Sequence, residues 1–143
     1  MANYAQTVNV IGCIKTTKTK AAFATTGLVL KLYRRQFGAI PVEVIGETKP
    51  LDVAAAWTKN RKAITIGIVN PTKTEYDLIL DLKGATVKGT SQLFQIAGSD
   101  AMAYNQPGKK PNVVIEKKQL TDISNKLSAP PLSISLYKLN VTQ

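Results

Sequence analysis

The chain has 143 residues, 44% hydrophobic and 20% charged, with 19 Lys and Arg against 9 Asp and Glu, a formal net charge of +10. That length suits one domain with a substantial core, and no apolar run approaches the ~20 residues of a membrane helix. A single cysteine, Cys13, and no histidine exclude an internal disulfide, a multi-cysteine or His-ligated zinc site, and Ser–His or Cys–His nucleophiles.

In chain order, residues 2–14 read as an amphipathic helix, with Tyr4, Val8, Ile11 and Ile14 at steps of four, three and three. Only Asn3 could cap it. Cys13 lies on this helix beside Gly12 and Ile14 and reads as a small hydrophobe rather than a nucleophile. No basic n-region with an uninterrupted apolar core is visible, so no signal peptide is recognised and the compartment stays open. "KTTKTKAAFATT" is a Lys/Thr-rich connection. "GLVLKLYRRQFG" reads as a second helix, with Leu28–Leu32 and Val29–Tyr33–Phe37 at i,i+4 steps, Thr26 as its N-cap and Gly38 as its stop.

After Pro41 the signal changes to period two or short apolar runs. Strands are predicted over 42–46, 51–57, 63–69, 76–82, 86–97, 112–118 and 132–139. "NPTKTE" between the third and fourth predicts a turn and hence a hairpin. "GSDAMAYNQPGKKP" is a long loop, and "APP" breaks the chain before the last strand. Strands without intervening helices imply a mainly β fold, an antiparallel β-sandwich of jelly-roll type with about 7–9 strands, preceded by two α-helices.

The charge invites a nucleic-acid reading, but its placement argues against one. Residues 1–42 carry Lys15, Lys18, Lys20, Lys31, Arg34 and Arg35 with no acid, while the other positives are scattered singly, and 16 of the 19 are Lys. Phosphate and base readout favour Arg, and the aromatic residues are not interleaved with basic ones as a stacking platform requires. Neither a nucleic-acid nor a membrane partner is expected.

The order of several stretches over some 130 residues carries a resemblance. "ANYAQTVNVIGCIKT" resembles the last part of the catalytic barrel in family 51 glycoside hydrolases, the α-L-arabinofuranosidases, and "TGLVLKLYRRQFG" resembles the barrel helix that follows. "LDVAAAW" and "AITIGIVNPTKTEYDLILDL" resemble the first strands of that family's C-terminal domain. "AYNQPGKKPNVVI" is similar to its Asn-containing loop, and "LSAPPLSISLYKL" to the entry into its final strand. The resemblance implies that residues 1–41 are C-terminal helices of a (β/α)8 barrel whose earlier strands lie outside the chain, and that 42–143 form the C-terminal β-sandwich. It also implies a parent enzyme that hydrolyses terminal non-reducing α-L-arabinofuranosyl residues in glycans such as arabinan and arabinoxylan. The implied partners are then that barrel, in the same polypeptide, and the glycan; no cofactor is implied.

Retaining hydrolysis needs two carboxylates ~5–5.5 Å apart, which the family supplies as barrel glutamates upstream of the matching stretch. Glu43, Glu47, Glu75 and Glu116 stand in no sequence resembling either motif, and Glu43 and Glu47 on one predicted strand would lie ~13 Å apart. No catalytic residue is therefore assigned to this chain. In many relatives a polar side chain just before the last barrel helix reaches the sugar; here that position falls on Thr25 or Thr26, where several relatives carry Gln. Both are candidate substrate-binding residues. Trp57 reads as a core or inter-domain anchor, or alternatively as a sugar-stacking platform. Asn70–Pro71 supplies turn geometry, and Asn105 bonds its own loop or the barrel.

Two other functional readings stay open at this point: a stand-alone carbohydrate-binding sandwich and, less favoured, a basic nucleic-acid-binding domain. The apolar stripes of the two helices, through Val8, Ile11, Leu28, Leu32 and Tyr33, are expected to find a poor partner in a Lys/Thr-rich sandwich surface, which predicts self-association through residues 2–37.

Overall fold

The computed structural model of the chain describes residues 6–98, 100–121, 123 and 125–142. Its elements begin with β1 (Ile14–Thr16), β2 (Ala21–Phe23), α1 (Thr25–Gln36), β3 (Ile40–Val42), β4 (Asp52–Trp57) and β5 (Ala63–Asn70). They continue with β6 (Tyr76–Ile79), β7 (Thr86–Val87), β8 (Ser91–Ala97), β9 (Glu116–Leu120), β10 (Lys126–Ala129) and β11 (Ser133–Thr142). The principal sheet has the order β3-β4-β5-β11-β8-β9, antiparallel throughout, with β7 paired to the end of β11. Strands β6 and β10 form a separate two-stranded layer. The mainly β antiparallel sandwich expected from the sequence is present.

The central strand explains its own sequence. "AITIGIVN" does not alternate, because both faces of β5 are covered. Ile64, Ile66 and Ile68 join Leu93, Tyr137 and Leu139 on one face, under Leu127 and Ala129 of β10 with Tyr76 and Leu78 of β6. On the other face lies α1, whose Leu28 and Leu32 pack with Phe94, Ile96 and Leu136 of the sheet and Val113 of the long loop. Tyr33 of α1 sits directly over Gly67: a Cβ there would lie 2.5 Å from the phenol oxygen and 3.1 Å from Cζ. Only glycine in this row lets the ring down onto the sheet. The helix stops where the Gly38 N–H donates to Thr65 Oγ1 at 2.8 Å, pinning its end to β5.

Tyr137 ties the layers together by donating from its phenol to the Ser128 carbonyl at 2.7 Å. Burial, with Asp77 nearby, pushes this phenol above its ordinary value of 10.0. The folded state thus holds the proton more tightly than the unfolded chain. The associated stability is complete below pH ~10 and is lost as pH rises through the folded value. Tyr137→Phe should cost about 1 kcal/mol at pH 8 and flatten the decline above pH 10. Urea midpoints measured at both pH values check this.

The sheet has two edges. Strand β3 has three residues and contains Pro41, and β9 carries Glu116, Lys117, Lys118 and Gln119, all exposed.

Several expectations are corrected. The helix over 2–14 is not formed in its described part, and residues 2–5 lie outside the described residues. Instead β1 pairs with β2 as a hairpin, preceded by a turn at Asn9–Gly12. Polar side chains capture the backbone there: Asn9 Oδ1 accepts from Thr16 N–H at 2.8 Å, and its Nδ2 donates to Thr16 Oγ1 at 2.9 Å. The Ile14 N–H donates to the Thr7 carbonyl at 3.0 Å. Such local bonds compete with helix, and they outweigh the apolar spacing. The "NPTKTE" turn does not close a hairpin, since β5 pairs with β4 and β11 while β6 pairs with β10; it carries the chain from one layer to the other. The 42–46 strand is instead Ile40–Val42 and the 112–118 strand Glu116–Leu120, while 86–97 is broken around Gly89, whose φ is +66°. Strand β10 has no counterpart among the predicted strands.

The expected mismatch between helix and sandwich also dissolves for α1. The face it meets is Phe94, Ile96, Leu136 and Gly67, not a Lys/Thr-rich surface.

Candidate functional site

Thr25 and Thr26, the two candidates from the sequence, occupy the first turn of α1. The N-cap is Ala24, with no side-chain cap bond, so Thr26 is not the cap expected. The β1–β2 hairpin sets the start of the helix: the Ala24 N–H donates to the Cys13 carbonyl at 2.9 Å, and a Cβ at Gly27 would collide with that same carbonyl. Glycine at position 27 is what allows helix and hairpin to cross. Cys13 itself is half-buried, its Sγ 3.6 Å from the Thr7 carbonyl.

Both threonines line a cavity of about 320 Å³ between the start of α1 and the ends of β5, β8 and β11. Its walls are mainly apolar, from Val29, Val69, Pro71, Ile96, Leu132 and Ile134, with the threonines, Asn70 and Asp100 as polar points. Asp100 Oδ1 accepts from the Met102 N–H at 2.6 Å. One carboxylate, already engaged in its own loop, cannot supply a general acid and a nucleophile together. The cavity suits binding of a small group through apolar walls and hydroxyls.

Two buried asparagines hold its surroundings. Asn70, 1% exposed, donates from Nδ2 to the carbonyls of Thr74, Ala129 and Pro130 at 2.7, 2.9 and 2.8 Å. Its Oδ1 accepts from the N–H and Oγ1 of Thr72 at 3.0 and 2.8 Å. Asn105 donates to the carbonyls of Val113 at 2.8 Å and Phe23 at 3.3 Å, and accepts from the N–H groups of Asn112 and Val113, both at 2.9 Å. Of the two roles read for Asn105, the structure shows the backbone one, which fastens the long loop to β2. Asn70–Pro71 does turn the chain, but the Asn70 side chain also clasps the far layer. That role has no local signal.

The four glutamates are exposed and dispersed. Glu43 and Glu47 follow β3 in a loop rather than sharing a strand, so the ~13 Å strand spacing does not apply. Glu47 accepts from the Lys49 N–H at 3.0 Å, Glu75 from Ser128 Oγ at 2.7 Å, and Glu116 pairs with Lys118 at 3.6 Å. Trp57 is half-buried against the core below β5. It is a packing residue rather than an open stacking platform. Among the described residues no group of three or more Asp, Glu, Cys or His converges.

The family model described as α-L-arabinofuranosidase C-terminal domain matches residues 1–133. The chain belongs to this family. Its fold is similar to part of the Thermotoga maritima α-L-arabinofuranosidase, solved as an arabinose complex, at TM-score 0.78 and 20% identity over 95% of this chain and 33% of that one. The GH51 α-L-arabinofuranosidase of Thermotoga petrophila gives TM-score 0.77 and 21% identity over 94% and 32% of the two chains. That of Xanthomonas axonopodis pv. citri gives 0.70 and 18% over 98% and 31%. No curated protein sequence matches the chain. This arabinofuranosidase C-terminal domain therefore spans about a third of the length of the solved enzymes it resembles.

Proposed function

We propose that the domain is the accessory C-terminal part of an α-L-arabinofuranosidase, joined in one polypeptide to a catalytic barrel that supplies both glutamates. The observation that carries this reading is the family match over residues 1–133 on a chain whose own glutamates are scattered and exposed. Residues 1–41 would belong to the barrel side of the chain, with 42–143 as the sandwich that braces it; the substrate would be an arabinose-bearing glycan such as arabinan or arabinoxylan. Thr25 and Thr26 line a cavity beside the start of α1, which supports a contact role for them near the sugar.

Self-association through residues 2–37 has less surface to draw on than the sequence suggests. Leu28 and Leu32 are buried against the sheet, while Val8, Val10 and Ile11 remain 46%, 80% and 63% exposed. We assign that remaining patch to contact with the barrel.

The chain alone is expected to release no arabinose from a nitrophenyl arabinofuranoside above background. Turnover abolished by Glu43→Gln or Glu116→Gln would overturn the proposal. An open reading frame upstream of codon 1 that encodes two barrel-strand glutamates would support it directly.

A further inference from the structure

The mouth of the β4–β5 turn carries a second depression, of about 530 Å³, lined by Thr58, Lys59, Asn60, Lys62, Lys138 and Asn140. No carboxylate lines it. The ion pairs among the described residues involve Lys83, Lys118 and Lys126, so Lys59, Lys62 and Lys138 have no acidic partner there. The turn is held in shape: Thr58 Oγ1 donates to Asn60 Oδ1 at 2.8 Å, Asn60 Oδ1 accepts from the Lys62 N–H at 3.2 Å, and the Lys62 carbonyl accepts from the Val141 N–H at 3.1 Å. A preformed cluster loses less entropy on binding than a floppy one.

The strand register extends this depression into a row. Lys138 stands opposite Gln92, and Gln92 opposite Gln119, so the three share one face across β11, β8 and β9. In the next rung Lys117 faces the same way, its Nζ 5.8 Å from the centre of the Phe94 ring. The row thus offers two neighbouring amides, Gln92 and Gln119, flanked by the ammonium groups of Lys138 and Lys117. Lysine gives compact point charges for carboxylates, and amides and hydroxyls suit sugar hydroxyl groups. No aromatic residue lines the depression, which removes the platform single-stranded nucleic acid uses.

We propose that this end of the sheet binds an acidic glycan, a polysaccharide whose units carry carboxylates, and so holds the enzyme on a uronate-bearing backbone while neutral arabinose branches are processed elsewhere. The choice of a glycan over other polyanions rests on the proposed arabinofuranosidase role. Binding of the full chain to polygalacturonate, to its methyl ester and to single-stranded DNA, measured at 0.15 M salt, tests it. The acid form should bind at least tenfold more tightly than the ester and more tightly than DNA. Lys62→Gln with Lys138→Gln should weaken it about tenfold, each surface charge contributing a few-fold. Lys18→Gln with Lys20→Gln, which removes the same net charge from exposed positions, should change it less than twofold. Equal loss in both pairs, equal binding of acid and ester, or tighter binding to DNA would overturn the site. None of these results touches the accessory role, which is read from hydrolysis and from the upstream gene; a chain hydrolytic by itself would sink that role and leave a measured uronate preference standing.

Discussion

Asn70→Ala should lower stability by about 3–5 kcal/mol, among the largest effects of any single substitution in this domain. The side chain is 1% exposed and serves three carbonyls and both polar groups of Thr72. Truncation leaves several of these without partners, at about 1–3 kcal/mol for each that stays dry. Asn70→Asp separates hydrogen bonding from shape. It would aim a carboxylate oxygen at the carbonyls of Thr74, Ala129 and Pro130, and that oxygen together with burial would lift the folded-state pKa above the usual ~3.9. A raised carboxyl pKa means the folded state favours the protonated form. The defect should therefore be smallest below pH ~4 and grow as pH rises through the folded value. Denaturant midpoints of both variants from pH 3 to 8 check this; an Asn70→Asp deficit independent of pH would contradict it.

Truncation to residues 42–143 should leave a chain that unfolds or aggregates at room temperature. The boundary at 41/42 matches the change of periodicity, yet α1 shares one apolar cluster with the sheet. Removing the helix uncovers Phe94, Ile96 and Leu136 together, each worth roughly 1.5–3 kcal/mol of burial. The sum, about 5–9 kcal/mol, rivals the whole stability of an ordinary domain. A less drastic change points the same way: Leu32→Ala, at a position 2% exposed, should cost about 2–5 kcal/mol. Thermal unfolding of both variants measures the effect, and a well-folded 42–143 with an unchanged Tm would refute the shared core.

Helical spacing makes α1 legible, and short apolar runs rich in β-branched or small residues make β5 and β4 so. "AITIGIV" and "GLVLKLYRRQFG" have no competing local chemistry, and packing reinforces their pattern. The 2–14 segment carries a helical stripe as well, but the Asn9 side chain holds the N–H and hydroxyl of Thr16, the Ile14 N–H bonds the Thr7 carbonyl, and the stripe loses. Strand β10 is four residues long, too short for any period to show. In the candidate site, Thr25 and Thr26 come from the family resemblance. The opposite wall, Leu132 and Ile134, comes from a part of the chain more than a hundred residues later. Likewise Asn70 reads locally as the start of a turn, while two of its acceptors, Ala129 and Pro130, lie 59 and 60 positions away. Contacts of that sequence separation leave no trace in spacing.

The two ends of the principal sheet bear on how the protein behaves when crowded. An edge strand is an open template for backbone pairing with another molecule. At one end Pro41 lacks the N–H that an incoming strand would need, and the strand is only three residues long. At the other, an incoming strand would have to seat itself against Glu116, Lys117 and Lys118 in succession. Growth of the principal sheet from molecule to molecule is opposed at both ends, so crowding works against its extension by the cross-strand stacking that seeds fibrils.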